Sequence, residues 1–173
     1  MAMGKYIALI APLTLALMPA PTMASDGDLT AEEVAKTVKS CKALKGKAAK
    51  DPAKLESCHI AGQQYGQAGN AVARDGKLSE QYLAKACNGG LGKSCSLLSW
   101  YYLDNSAYES SSEKSRFWDE KGCEANDASA CAGVGYWLAE DGDVEAAKAH
   151  YRRAIELKPD YQYAKDKLAK LEG

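Results

Sequence analysis

The chain has 173 residues, six of them cysteine, and its 22 Lys+Arg nearly cancel its 23 Asp+Glu, for a net charge of −1. That balance argues against bulk electrostatic binding of nucleic acid or of an acidic membrane, and 46% hydrophobic residues argue against global disorder. With only His59 and His150 to serve a His-rich metal centre, the cysteines are the feature that needs a cause.

Residues 1–24 read as a secretory signal peptide. Lys5 is their sole charge, Tyr6 to Met18 form an apolar run, and Thr22-Met23-Ala24 fits a small-x-small cleavage site before Ser25. A retained membrane anchor is the alternative, but the run is short of the roughly 20 residues a bilayer span needs. Ser25 in place of cysteine gives no support to a lipoprotein anchor. Residues 25–173 then form one domain in the periplasm or outside the cell, where an even cysteine count reads as disulfides.

The elements that follow are helical. Thr30-Ala-Glu-Glu33 is a capping box that opens a helix to about Leu44. Pro52 opens the next, to about Gly66. Helices follow over Ser79 to Asn88, Gly92 to Asp104 and about Glu109 to Cys123, with Ser106 to Ser115 a polar loop or a frayed helix start. Asp127 to Glu140 and Asp143 to Leu157 form a pair joined at Gly142, a C′ stop next to the N-cap Asp143. Pro159 ends that pair, and Asp160 is expected to cap a last helix to about Leu171. No segment alternates as a strand does, so the expected fold is all-α: a short α-solenoid of about eight helices in antiparallel pairs.

The chain also repeats itself. Cys87 and Cys95 recur as Cys123 and Cys131, each shifted by 36 residues, a step within the range of helical repeats. Tyr82-Leu83-Ala84-Lys85-Ala86-Cys87 and Trp118-Asp119-Glu120-Lys121-Gly122-Cys123 share an aromatic-x-x-Lys-small-Cys pattern. Lys39-Ser40-Cys41, followed by Cys58, is a third, weaker copy with a longer gap.

Gly135, Ala147, Tyr151, Ala154 and Pro159 resemble the Gly, Ala, aromatic, Ala and Pro of a tetratricopeptide repeat. Tyr65 to Asp75 is similar to the Tyr-x-x-x-Gly-x-x-Val-x-x-Asp turn of Sel-one-like repeats. With the two Cys-x7-Cys pairs, the chain from about Cys41 to Leu171 resembles the Helicobacter cysteine-rich family of secreted Sel-one-like repeats. Ser99 stands where that pattern expects Gly, so looser packing is expected in the middle unit.

On this repeat frame the first cysteine of each pair ends one unit and the second begins the next. Bridges 41–58, 87–95 and 123–131 would each clamp a turn between units. Chain-entropy estimates give about 2.5 kcal/mol for the short loops and somewhat more for the long one. Redox and haem roles lack a Cys-x-x-Cys or Cys-x-x-Cys-His motif, and zinc has only His59 beside Cys58 as a hint. Asp26-Gly27-Asp28 to Glu33 resembles half of an EF-hand loop, but its earlier ligand positions fall on Thr22 and Ala24, so it reads as a terminus and cap. No metal and no cofactor is expected.

The resemblance also implies penicillin binding and weak β-lactamase activity. Ser111-Ser-Glu-Lys114 matches Ser-x-x-Lys, but the Ser-Asp-Asn and Lys-Thr-Gly partners are missing. A β-lactam or peptidoglycan-fragment binder with weak hydrolysis is therefore the alternative, and a non-catalytic protein-interaction scaffold the main reading. Helical solenoids present the first helix of each pair on a concave face. Aligning Cys58, Cys95 and Cys131 places Glu56, His59 and Gln63, then Lys93, Ser96, Trp100 and Leu103, then Ser129, Ala132, Tyr136 and Glu140 on that face. This mixture suits an extended peptide or protein tail, with Trp100 and Tyr136 as aromatic anchors. Packing is the other reading of Trp100. Tyr82, Trp118 and Tyr151 read as core. The partner expected is a protein or peptide and the chain is expected to act as a monomer.

Overall fold

Capping residues set where most of the helices begin. In a computed structural model, which describes residues 29–45, 49–104 and 106–173, eight α-helices run in sequence. They are α1 (Ala31–Lys42), α2 (Pro52–Gly66), α3 (Gly76–Asn88), α4 (Gly92–Asp104), α5 (Ser112–Glu124), α6 (Ala128–Glu140), α7 (Val144–Leu157) and α8 (Gln162–Glu172). The signal-peptide reading of residues 1–24 and the acidic residues Asp26 and Asp28 lie outside the described residues. Among the described residues there is no strand, and no helix is long and apolar enough to cross a membrane.

Thr30 and Glu33 close the expected capping box on α1, Thr30 Oγ1 accepting from Glu33 N at 3.2 Å and Glu33 Oε2 from Thr30 N at 2.8 Å. Asp51, Ser111, Asp127 and Asp143 cap α2, α5, α6 and α7 in the same way, each accepting a main-chain N–H three residues on. Such caps each contribute about 1 kcal/mol. Gly142, at φ +85°, makes the left-handed stop between α6 and α7.

Three boundaries differ from the sequence expectation. α3 begins at Gly76, not Ser79, because Asp75 accepts from both Lys77 N and Leu78 N. α5 begins at Ser112, not Glu109, because Ser111 is its cap. Asp160 does not cap α8: Tyr161 holds the N-cap position and makes no side-chain cap bond. The helix begins one residue too late for Asp160 to reach its first amides.

Helices α2/α3, α4/α5 and α6/α7 form successive hairpins, with α1 before and α8 after them, and α4 also packs on α6. Disulfides 41–58, 87–95 and 123–131 tie the end of α1, α3 and α5 to the opening turns of α2, α4 and α6. Three apolar clusters follow the hairpins, centred on Leu55 and Tyr82, on Leu83 and Leu98, and on Tyr151 and Ala154. Trp118, Tyr82 and Tyr151 are buried, as core residues should be. The repeat glycines permit close approach in the outer units: a Cβ on Gly62 would meet Leu83, and one on Gly135 would meet Tyr151.

In the middle unit Ser99 makes a polar contact where the outer units have glycine. Ser99 is 4% exposed and its hydroxyl lies 2.9 Å from Ser115 Oγ, so α4 meets α5 through this contact where the last unit uses Gly135 against Tyr151.

Candidate functional site

The inner helices α2, α4 and α6 carry the stripe predicted to face a partner, and its two halves differ. On the N-terminal half the side chains satisfy one another. Lys93 Nζ and Glu56 Oε1 form an ion pair at 2.8 Å between α4 and α2. His59 Nδ1 lies 3.0 Å from the buried Ser94 Oγ. Burial, then the nearby Lys93 charge, lowers the His59 pKa and favours the neutral ring. Gln63 is half-buried on the same helix.

On the C-terminal half the stripe opens into a cavity of about 210 Å³. Ser96, Trp100 and Leu103 from α4 and Ser129 and Tyr136 from α6 all line it, five residues that the repeat alignment had placed together. Trp100 and Leu103 keep 49% and 46% of their surface exposed, which is not the pattern of packing residues. Ala132 is a correction: it is fully buried in the α6–α7–α8 cluster with Ala147 and Tyr151, turned away from the face. Glu140 lines a neighbouring hollow with Tyr136, Tyr151 and Lys167.

The cavity also contains residues that the sequence reading missed. Asp119 reaches in from α5, Gly133 and Trp137 from α6, and Tyr161 and Tyr163 from the start of α8. Asp119 is only 5% exposed. Trp137 Nε1 donates to its Oδ2 at 2.9 Å, and the Ser99 hydroxyl is its second partner. Burial raises its carboxyl pKa to about 6, against the lowering effect of those two hydrogen bonds. Trp137 is held from another side as well. The Arg116 guanidinium lies 5.5 Å from its ring centre and pairs with Asp141 at 2.8 Å.

The 36-residue register contains the signal that would have found this floor. Counted from the helix caps, Asp119 occupies the position of Leu83 in the unit before and, since the last hairpin is four residues shorter, of Tyr151 in the unit after. Gly133 occupies the position of Leu97, and of Ile60 one unit earlier. At the first junction Leu83 is fully buried and Leu97 packs on its cluster. At the second junction a Cβ on Gly133 would run into the Asp119 carboxylate. The aliphatic pair Leu83–Leu97 has become the pair Asp119–Gly133.

The architecture has a counterpart among solved structures. A Sel1 repeat protein from Oxalobacter formigenes superposes with a TM-score of 0.56 at 23% identity, over 78% of this chain and 58% of that one. The chain has the Sel1-repeat fold. It spans just over half the length of that neighbour. No family model matches the sequence, and no curated protein matches it.

The motifs weighed for chemistry take structural places. Ser111 Oγ accepts from Lys114 N at 3.3 Å, so the Ser-x-x-Lys match is the cap and first turn of α5. All six cysteines are in disulfides, and no cluster of three metal-ligating side chains occurs among the described residues.

Proposed function

We propose that this chain is a non-catalytic scaffold, exported to the periplasm or beyond the cell, that holds an extended peptide or protein tail against the face of α2, α4 and α6. The observation that carries this reading is the convergence of Ser96, Trp100, Leu103, Ser129 and Tyr136 on one cavity with two large apolar side chains left exposed. Exposed aromatic and apolar anchors around a hollow are what peptide recognition uses. The Sel1-repeat fold supports a scaffold role by analogy. Three disulfides in one small domain, and a leader-like segment at residues 1–24, support an oxidising compartment. The chain acts as a monomer and needs no cofactor.

A pull-down from the native cell envelope tests the reading. The wild-type protein should retain a partner that Trp100→Ala/Tyr136→Ala loses while still melting cooperatively. Retention by the folded double variant would remove this face from the account. Turnover of a chromogenic cephalosporin by the purified protein, lost in Ser111→Ala, would overturn the non-catalytic part.

A further inference from the structure

The floor of the cavity specifies more than an apolar anchor. We propose that the pocket between α4, α5, α6 and α8 receives the cationic end of an arginine or lysine side chain carried by the bound peptide, with the Asp119 carboxylate as its charge partner. The inference rests on the peptide-scaffold reading above and names the chemistry its main pocket selects.

Four observations converge on it. The first is the paired departure from the repeat. Leu83 and Leu97 show that the fold closes this junction with aliphatic side chains, so the fold itself does not require a carboxylate at 119 or a glycine at 133. A single polar residue in a core position is a liability. Here the facing position has also lost its side chain, which leaves the carboxylate room beside a cavity instead of sealing it in.

The second is charge. Asp119 has two hydrogen-bond donors, Trp137 and Ser99, and a carboxylate can accept more than two. Among the described residues no lysine, arginine or histidine forms an ion pair with it. On its own helix Arg116, one turn earlier, is paired with Asp141, and Lys121 donates to Asn88. The neighbouring charges that act on Asp119 are the carboxylates of Asp127 and Glu120, which deepen the negative potential. At neutral pH the pocket therefore holds a buried negative charge that an incoming cation would match.

The third is the wall. Trp100, Tyr136, Trp137, Tyr161 and Tyr163 surround the floor, and the faces of such rings attract cations. Rings of this group already do so within the chain: Lys167 Nζ lies 5.4 Å from the Tyr163 ring centre and 6.0 Å from that of Tyr136. Lys167 itself is not among the residues lining the cavity.

The fourth is size. At about 210 Å³ the cavity is below the roughly 300–1,000 Å³ of sites for whole small molecules, and suits one side chain. A neutral sugar ring could stack on the same walls, but it would leave the Asp119 charge unmatched.

Trp137 provides a built-in probe, because its indole N–H is bonded to Asp119. The disulfide-intact, isotope-labelled protein is titrated with acetyl-Ala-Arg-Ala-amide and with the neutral citrulline peptide of the same shape, to millimolar concentration. The arginine peptide should shift the Trp137 indole signal saturably and at least tenfold more tightly than the citrulline peptide. Asp119→Asn should remove that preference. The repeat-restoring variant Asp119→Leu/Gly133→Leu should remove binding, and covers the case in which Asp119→Asn does not fold. Equal binding of the two peptides, no shift with either, or tighter binding of a chitin oligosaccharide would overturn the proposal. Selection from a randomised linear peptide library separates it from the broader reading. Peptides captured through Trp100 and Tyr136 without enrichment of basic residues would sink the cation pocket and leave the scaffold standing. Capture of no peptide would remove both.

Discussion

The two fully repeated junctions of this molecule, α3 to α4 and α5 to α6, have the same spacing and the same staple but opposite interiors. Each is closed by a disulfide between cysteines eight residues apart. At the first, Leu83 and Leu97 pack in one apolar cluster, and the Glu56–Lys93 pair and the His59–Ser94 contact occupy the face above. At the second, Asp119 and Gly133 replace that pair, and the face above stays open between Trp100 and Tyr136. A solenoid holds together through nearest-neighbour contacts. One junction can therefore give up apolar packing for a polar pocket while its neighbours and its disulfide keep the stack in register.

Exchanging the interiors should give the largest effect. Leu83→Asp puts a carboxylate into a fully buried site within an apolar cluster on which Leu97 packs, and should destabilise the protein by about 4 kcal/mol or more in urea unfolding. A loss below about 1 kcal/mol would mean that the first junction has room for a charge as well. Gly133→Leu alone overlaps the Asp119 carboxylate and should cost about 1–3 kcal/mol. Adding Asp119→Leu should recover most of that, because it rebuilds the Leu83–Leu97 pair. Additive losses would show that the two positions are not coupled.

The staples should not distinguish the junctions. Replacing Cys87 and Cys95, or Cys123 and Cys131, by serine opens loops of equal length and should cost about 2.5 kcal/mol in each case. A clear inequality would place part of the difference in the disulfides instead of the side chains.

Asp119 should also leave a mark on the pH dependence of stability. In the folded chain it keeps its proton up to about pH 6, whereas the unfolded carboxyl releases it near 3.8. Between those values the folded state binds more protons, so stability falls as pH rises from about 4 to 6, by about 2 kcal/mol. Only about a unit beyond each of those values, below about pH 3 and above about pH 7, does this group contribute no slope. Asp119→Asn should flatten this part of the curve, and an unchanged slope would assign it to other carboxylates. The smallest effect belongs to the closed face. Glu56→Ala should change stability by about 0.5 kcal/mol, because the side chains of its ion pair with Lys93 remain nearly half exposed.

Much of this architecture was legible in the sequence. The Cys-x7-Cys repeat set the unit length, and Thr30, Asp127 and Asp143 marked helix starts because capping is a local interaction. Asp160 misled for a related reason: an Asp after Pro159 reads as a cap, but the chain takes one more residue, Tyr161, to turn into α8. The inner stripe was half legible. Helical spacing alone puts Ser96, Trp100 and Leu103 on one side of α4. It does not reveal that Glu56 and Lys93 neutralise each other across two helices, or that Ala132 turns into the core. Asp119, Trp137 and Tyr163 were missed because they reach the cavity from α5, from a neighbouring face of α6 and from a helix read only as a terminal cap. A unit-by-unit comparison of aliphatic positions would have exposed the Asp119–Gly133 substitution.

The central claim is that the Asp119–Gly133 pair serves recognition and not the fold. The most direct test measures the thermal midpoint of Asp119→Leu/Gly133→Leu and, on the same sample, its binding of the arginine peptide. The account predicts a midpoint within a few degrees of that of the wild type and no binding. A folded double variant that still prefers arginine over citrulline, or a midpoint many degrees lower, would contradict it.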